Sequence, residues 1–213
     1  MRKVVVEYDV YKYEELNDSA KENVKRWYLD GKDSYVFTET CKEDLNCLFG
    51  YNHNLNVQYS LAHCQGDGLN VYGSIDAKDI IECIKDNNGG TQFKPYRNWL
   101  TDEQMETILD YAEMCGEIKI PMNISYCYCM ADYIDFASDW ISDLKWDWDY
   151  NEEKIDKNTI YQFETMVSAI FKSICKDYEK TGYEYFYEVT DEELEEVCDI
   201  MDYEFYEDGR FFG

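Results

Sequence analysis

The chain has 213 residues, 45% of them hydrophobic and 17% aromatic, and carries a formal net charge of −26. Its 21 Tyr, 10 Phe and 5 Trp exclude an acidic disordered tail, because such tails lack the apolar surface that offsets the entropy of ordering. The charge is uneven: residues 1–100 hold 12 Lys/Arg against 16 Asp/Glu, whereas 101–213 hold 8 against 30, so the second half repels the phosphates of nucleic acid and of anionic membranes.

Val4-Val5-Val6 and the alternation through Tyr8 and Val10 predict an opening strand. Asn17, Asp18 or Ser19 then caps a helix with Ala20, Val24, Trp27 and Tyr28 on one stripe, ending near Gly31. A second helix is expected from Ser34 towards Gly50, burying Phe37, Cys41, Leu45 and Leu48. The period changes at Leu55, Val57, Tyr59 and Leu61, and with Gly66-Asp67-Gly68 as turn residues the stretch 54–75 reads as a hairpin. Residues 76–87 return to helical spacing through Ile80, Ile81 and Ile84. Asn87-Asn88-Gly89-Gly90 breaks the chain, which divides it into a near-neutral part, 1–88, and an acidic part, 91–213.

In the acidic part Thr101 opens a helix with Met105, Ile108, Leu109 and Ala112 inward, and Ile118 to Cys129 alternates around Pro121 as an edge strand or bulged hairpin. A long helix across 158–179 buries Phe163, Val167, Ile170, Phe171 and Ile174. Thr190 and Glu193 have capping-box spacing at the head of a last helix that buries Leu194, Val197, Cys198 and Met201. Strands and helices mix without regular βαβ alternation, so the expected fold class is α+β with antiparallel hairpins.

Between Ala131 and Leu144, Tyr133, Phe136, Ala137, Trp140, Ile141 and Leu144 define one apolar helix face, leaving Asp132, Asp135, Asp139 and Asp143 aligned on the other. One helical turn, about 5.4 Å, is comparable with the spacing of strand phosphates, about 3.4 Å along the axis and more along the backbone. The ladder therefore suits a protein channel built for nucleic acid, although the same pattern also describes a solvated acidic face. Asp147 and Asp149 extend it, and Glu192, Glu195, Glu196, Asp199, Tyr203 and Glu204 form a second acidic, tyrosine-bearing stretch. Tyrosine supplies rigid contact area with a polar tip, so carboxylates and tyrosines together suit a partner rich in Lys and Arg.

Other chemistry is poorly supported. Asp147-Trp148-Asp149-Tyr150-Asn151 begins like a calcium loop, but Glu152 stands where the loop glycine belongs. His53, His63, Cys41, Cys47 and Cys64 lack a Cys-x-x-Cys pair and read as structural rather than zinc-binding. His63-Cys64 is the one adjacent base and nucleophile, yet neighbours on a strand point to opposite faces. No phosphate loop or dinucleotide fingerprint occurs, so neither catalysis nor a cofactor is expected. Nine scattered cysteines, Glu7 close behind the basic start and the lack of a bilayer-length apolar run predict reduced thiols and a cytoplasmic protein.

Three segments, Tyr13-Glu14-Glu15-Leu16-Asn17-Asp18-Ser19-Ala20-Lys21, Tyr59-Ser60-Leu61-Ala62-His63-Cys64-Gln65-Gly66-Asp67-Gly68 and Asp202-Tyr203-Glu204-Phe205-Tyr206-Glu207-Asp208-Gly209, together resemble a family of small phage and prophage proteins sometimes labelled antitoxins. The resemblance implies a phage-derived protein of the host cytoplasm and brings no active site with it. Phages encode acidic proteins that occupy the nucleic-acid channels of host defence nucleases. The expected function is therefore inhibition of a host nucleic-acid-binding defence protein, of anti-CRISPR or anti-restriction type, by acidic mimicry of nucleic acid. Its partner would be a basic host protein, a nuclease or CRISPR effector. The alternatives are an antitoxin that sequesters a basic toxin and a carboxylate metal-dependent nucleotide hydrolase.

Overall fold

Six helices and a three-stranded antiparallel sheet form within the residues that the computed structural model describes, which are 2–64, 66–85, 93–115, 118–120 and 157–213. The fold is α+β, as expected. Two units build it, Met1–Ser34 with Thr181–Gly213 and Tyr35–Lys180. Each unit draws on both the 1–88 and the 91–213 part.

In the Tyr35–Lys180 unit, α2 (Ser34–Phe49) buries Phe37, Cys41, Leu45 and Phe49, one residue per turn, while Leu48 is only half-buried. Strands β1 (Asn54–Ser60) and β2 (Gly68–Ile75) pair antiparallel with Val57 opposite Val71, and β3 (Ile118–Ile120) joins the free edge of β2. Leu55 and Val57 alternate inward on β1, and β2, the central strand, buries Leu69, Asn70 and Val71 in succession. Helix α3 (Ala77–Lys85) adds Ile80, Ile81 and Ile84, and α4 (Asp102–Cys115) adds Met105 and Ile108. Through this unit runs the first part of α5 (Lys157–Tyr187), whose Phe163, Val167, Ile170, Phe171 and Ile174 are all buried. Phe171 stacks on Phe49 at 5.5 Å, and Tyr178 Oη donates to the Cys41 carbonyl at 3.3 Å.

The other unit joins the two ends of the chain. Asn17 caps α1 (Asp18–Asp30), its Oδ1 accepting the Ala20 N–H at 3.0 Å, and the helix ends at Gly31. Ala20 and Val24 on α1, Tyr13 and Leu16 before it, Leu194 and Cys198 on α6 (Asp191–Ile200) and Phe205 after it form one core. Phe205 exchanges backbone hydrogen bonds with Tyr11, at 2.9 and 3.0 Å, and bridges Phe211 as well. Trp27 packs over this layer, edge-on to Phe205 and stacked on Phe211 at 4.6 Å.

Two expectations need correction. Residues 4–10 form no strand, and Val4, Val5 and Val6 are 82%, 84% and 59% exposed. Alternation permits a strand but does not provide a partner, and pairing begins only at Tyr11. Met201 lies outside the core because α6 ends at Ile200 and the chain turns, leaving Met201 exposed. The Asn87–Gly90 break, residues 121–129 of the strand or hairpin expected from Ile118 to Cys129, and the whole Ala131–Leu144 segment fall outside the described residues. Among those that are described, no helix is long and apolar enough to cross a membrane.

Gly209 fixes how the final turn meets α1. Its φ is +81°, and a Cβ there would lie 2.2 Å from the Ala20 carbonyl oxygen. Gly209→Ala should therefore destabilise the protein by about 2–4 kcal/mol, combining left-handed backbone strain with forced repacking; an unchanged urea midpoint would contradict this.

Candidate partner-binding surface

Helix α6 carries the acidic stretch in a defined orientation. With Leu194 and Cys198 buried, residues 192, 195, 196 and 199 fall at helical steps of three, four and seven on another face. Glu192, Glu196 and Asp199 are exposed and Glu195 is half-buried. The helix contains no Lys or Arg. Like charges at such steps destabilise a helix by about 0.2–0.5 kcal/mol per pair, so the surface persists because of what holds its two ends.

At the first end, Thr190 Oγ1 accepts the Glu193 N–H at 3.2 Å, and Glu193 Oε2 accepts the Thr190 N–H at 2.9 Å. Asp191, Glu192 and Glu193 also face the positive end of the helix dipole. The backbone and hydroxyl hydrogen bonds from Thr190 hold the Glu193 carboxyl below the usual carboxylate range, with Lys32 adding to the effect. At the other end Asp202, in the left-handed region at φ 56°, follows the C-cap, and the Tyr203 N–H closes on the Cys198 carbonyl at 2.9 Å, a Schellman closure in which glycine is usual.

Lys12 explains the aspartate. Its ammonium donates to Asp202 Oδ1 at 2.7 Å and to the Asp202 carbonyl at 3.3 Å, and lies 3.9 Å from Glu204 Oε1. The hydrogen bond to Asp202 raises the Lys12 pKa and lowers that of Asp202. This cation sits where the carbonyl ends of α6 favour positive charge. In the core beside α6, burial first and then Asp191, Cys198 and Glu195 push the Tyr13 hydroxyl up to about 12.

Of the residues expected from the sequence to meet a partner, the structure thus brings Glu192, Glu195, Glu196 and Asp199 onto one helix face. Glu204 is half-buried beside Lys12, and Tyr203 is half-buried with its ring edge-on to Trp27 at 5.6 Å and to Phe211 at 5.1 Å. Asp132, Asp135, Asp139, Asp143, Asp147 and Asp149 lie outside the described residues. The neighbouring tyrosines largely pack within the unit. Tyr185 Oη donates to the Asp33 carbonyl under the Lys32 ammonium, and Tyr206 meets Tyr8 and Phe212. Lys12 carried no sequence signal, because its acidic partners are 190 and 192 residues away.

The His63-Cys64 couple sits in the turn between β1 and β2. Asp67 collects the Ala62 and Cys64 N–H groups on Oδ2 and the Ser60 hydroxyl and Cys64 thiol on Oδ1. The hydrogen bond to Asp67 raises the Cys64 pKa, the reverse of what activates a nucleophilic cysteine. Among the described residues, no group of three or more His, Cys, Asp or Glu is placed to hold a metal ion. Neither a family model, a curated protein nor a solved structure matches the chain.

Thr190→Ala should cost about 0.5–2 kcal/mol as a lost cap. The folded pKa of Glu193 is depressed, so its contribution is complete above the ordinary carboxylate range and disappears as pH falls through the depressed value. The stability gap between the native chain and Glu193→Ala, followed by urea denaturation, should therefore narrow on acidification, and a gap that widens would contradict the cap. In the turn, Asp67→Asn should raise the alkylation rate of Cys64 by iodoacetamide several-fold near pH 8, as removal of the carboxylate lowers the thiol pKa; an unchanged rate would show that Asp67 does not control it.

Proposed function

We propose that the chain is an inhibitor that docks its acidic surfaces onto the phosphate-gripping Lys and Arg of a host nucleic-acid-binding defence protein. The anti-CRISPR or anti-restriction setting rests on the resemblance to phage proteins. The observation that supports this reading best is the α6 face, where Glu192, Glu195, Glu196 and Asp199 share one side of a helix without a basic residue. Residues 181–213 contain 12 Asp/Glu and a single base, Arg210. Carboxylates held on a rigid helix can replace phosphates without further ordering entropy, and their field accelerates encounter with a basic cleft. Asp132, Asp135, Asp139, Asp143, Asp147 and Asp149 enter the proposal through their sequence spacing alone.

Expression in a host with an active CRISPR or restriction system tests this reading. Phage plating or plasmid transformation should recover, and a variant with Glu192, Glu195 and Glu196 changed to Gln and Asp199 to Asn should lose at least about tenfold of that protection, as several charge contacts disappear together. Equal protection by the neutralised variant would sink the α6 assignment. Failure to protect, combined with rescue from a co-expressed basic toxin, would favour the antitoxin alternative.

A further inference from the structure

In the unit formed by the two chain ends, an open cleft of about 640 Å3 lies between Glu7–Tyr11, the start of α1 and the 206–210 turn. Its walls combine aromatic rings with carboxylates. Tyr8 meets Tyr206 edge-on at 5.6 Å and Phe212 at 6.1 Å, yet remains 57% exposed. Glu7, Asp9 and Glu207 are exposed and have no ion pair among the described residues. Asp208 is held by Arg210, whose Nε donates to its Oδ2 at 2.8 Å. The cleft thus keeps three uncompensated carboxylates around tyrosine faces.

That chemistry selects a cation, and specifically a planar one. A guanidinium stacks on an aromatic ring while its forked N–H groups meet carboxylates, whereas an ammonium is a compact, strongly hydrated charge. The chain supplies an internal example, since the Arg210 guanidinium stands 5.2 Å over the Tyr206 ring while it pairs with Asp208. The start of α1 offers little to a competing anion, because Asn17 already accepts the Ala20 N–H. Asn23 Nδ2 donates to the Asp208 carbonyl at 3.0 Å and steadies the opposite wall.

A second observation concerns the backbone. Residues 2–10 make no backbone hydrogen bond to any described residue, and pairing starts at Tyr11. The donors and acceptors of Glu7, Tyr8 and Asp9 are open to an incoming extended segment, in the manner of strand addition.

We propose that this cleft receives an arginine side chain, carried on an extended segment of the basic partner protein. The inference rests on the function proposed above and adds a docking point separate from the α6 face.

Fluorescence anisotropy with labelled oligoarginine and oligolysine peptides of equal length tests it on the full chain. Oligoarginine should bind several-fold more tightly, and Tyr8→Leu and Asp9→Asn should each weaken it about 3- to 10-fold. Glu196→Gln with Asp199→Asn should affect the two peptides equally. Asp9 is an exposed carboxylate, so its variant separates binding from folding, and a thermal melt checks both. Equal binding of the peptides, no binding of oligoarginine, or unaltered affinity in both cleft variants would overturn the proposal. Loss of peptide binding in the cleft variants, without any host protection by the native chain, would retain the cleft and remove the inhibitor function. Full protection by Tyr8→Leu and Asp9→Asn would remove the cleft alone.

Discussion

The unit that carries the α6 face and the Tyr8 cleft depends on the insertion of Phe205. This side chain is fully buried, and its backbone exchanges two hydrogen bonds with Tyr11 while bridging Phe211 on its other side. Burying a phenylalanine contributes about 1.5–3 kcal/mol, and here it also fixes register. With Phe205 in place, Leu194 and Cys198 face Ala20 and Val24 in one core, so the carboxylates of α6 must occupy the remaining faces. The same insertion brings the 206–210 turn over the start of α1, where Gly209 approaches the Ala20 carbonyl too closely for any larger residue. The α6 face and the Tyr8 cleft are both consequences of joining the two ends.

Electrostatics opposes that joining on one side and assists it on the other. Residues 181–213 hold 12 acids against one base, while residues 1–34 hold seven bases against eight acids. The amino-terminal segment supplies the cations that the carboxy-terminal one lacks, and Lys12 and Lys32 are the visible cases. Exposed pairs of this kind contribute little to stability because water and salt screen them. Their effect is on placement: Lys12 neutralises the turn after α6 and reaches Asp199 only through space, while Glu192 and Glu196 have no ion pair among the described residues. A surface meant only for solubility has no need of such segregation; one that meets a basic partner does.

Much of the fold was legible because local signals agreed with tertiary packing. Asn17 and the Ala20–Val24 spacing placed α1, Thr190 with Glu193 placed α6, and alternation on both sides of Gly66-Asp67-Gly68 placed the hairpin. Helix α5 runs to Tyr187, eight residues beyond the expected 179, because its polar, tyrosine-rich end lacks the apolar stripe by which a helix is read. Tyr183 and Tyr187 nevertheless lie one turn apart and meet at 6.1 Å. The valines near the start showed the opposite failure, with strand periodicity but no partner. The α6 half of the acidic surface could be foreseen from spacing, whereas Lys12 and the Glu7-Tyr8-Asp9 wall could not. Their roles arise only when the two ends of the chain meet.

Competition with duplex DNA for a captured host protein tests the central claim most directly. If the acidic surfaces replace phosphates, a nucleic-acid-binding protein retained by the immobilised chain should be released progressively by added DNA, and its retention should fall steeply with salt. Retention that is indifferent to DNA, or a bound protein without affinity for nucleic acid, would contradict the account.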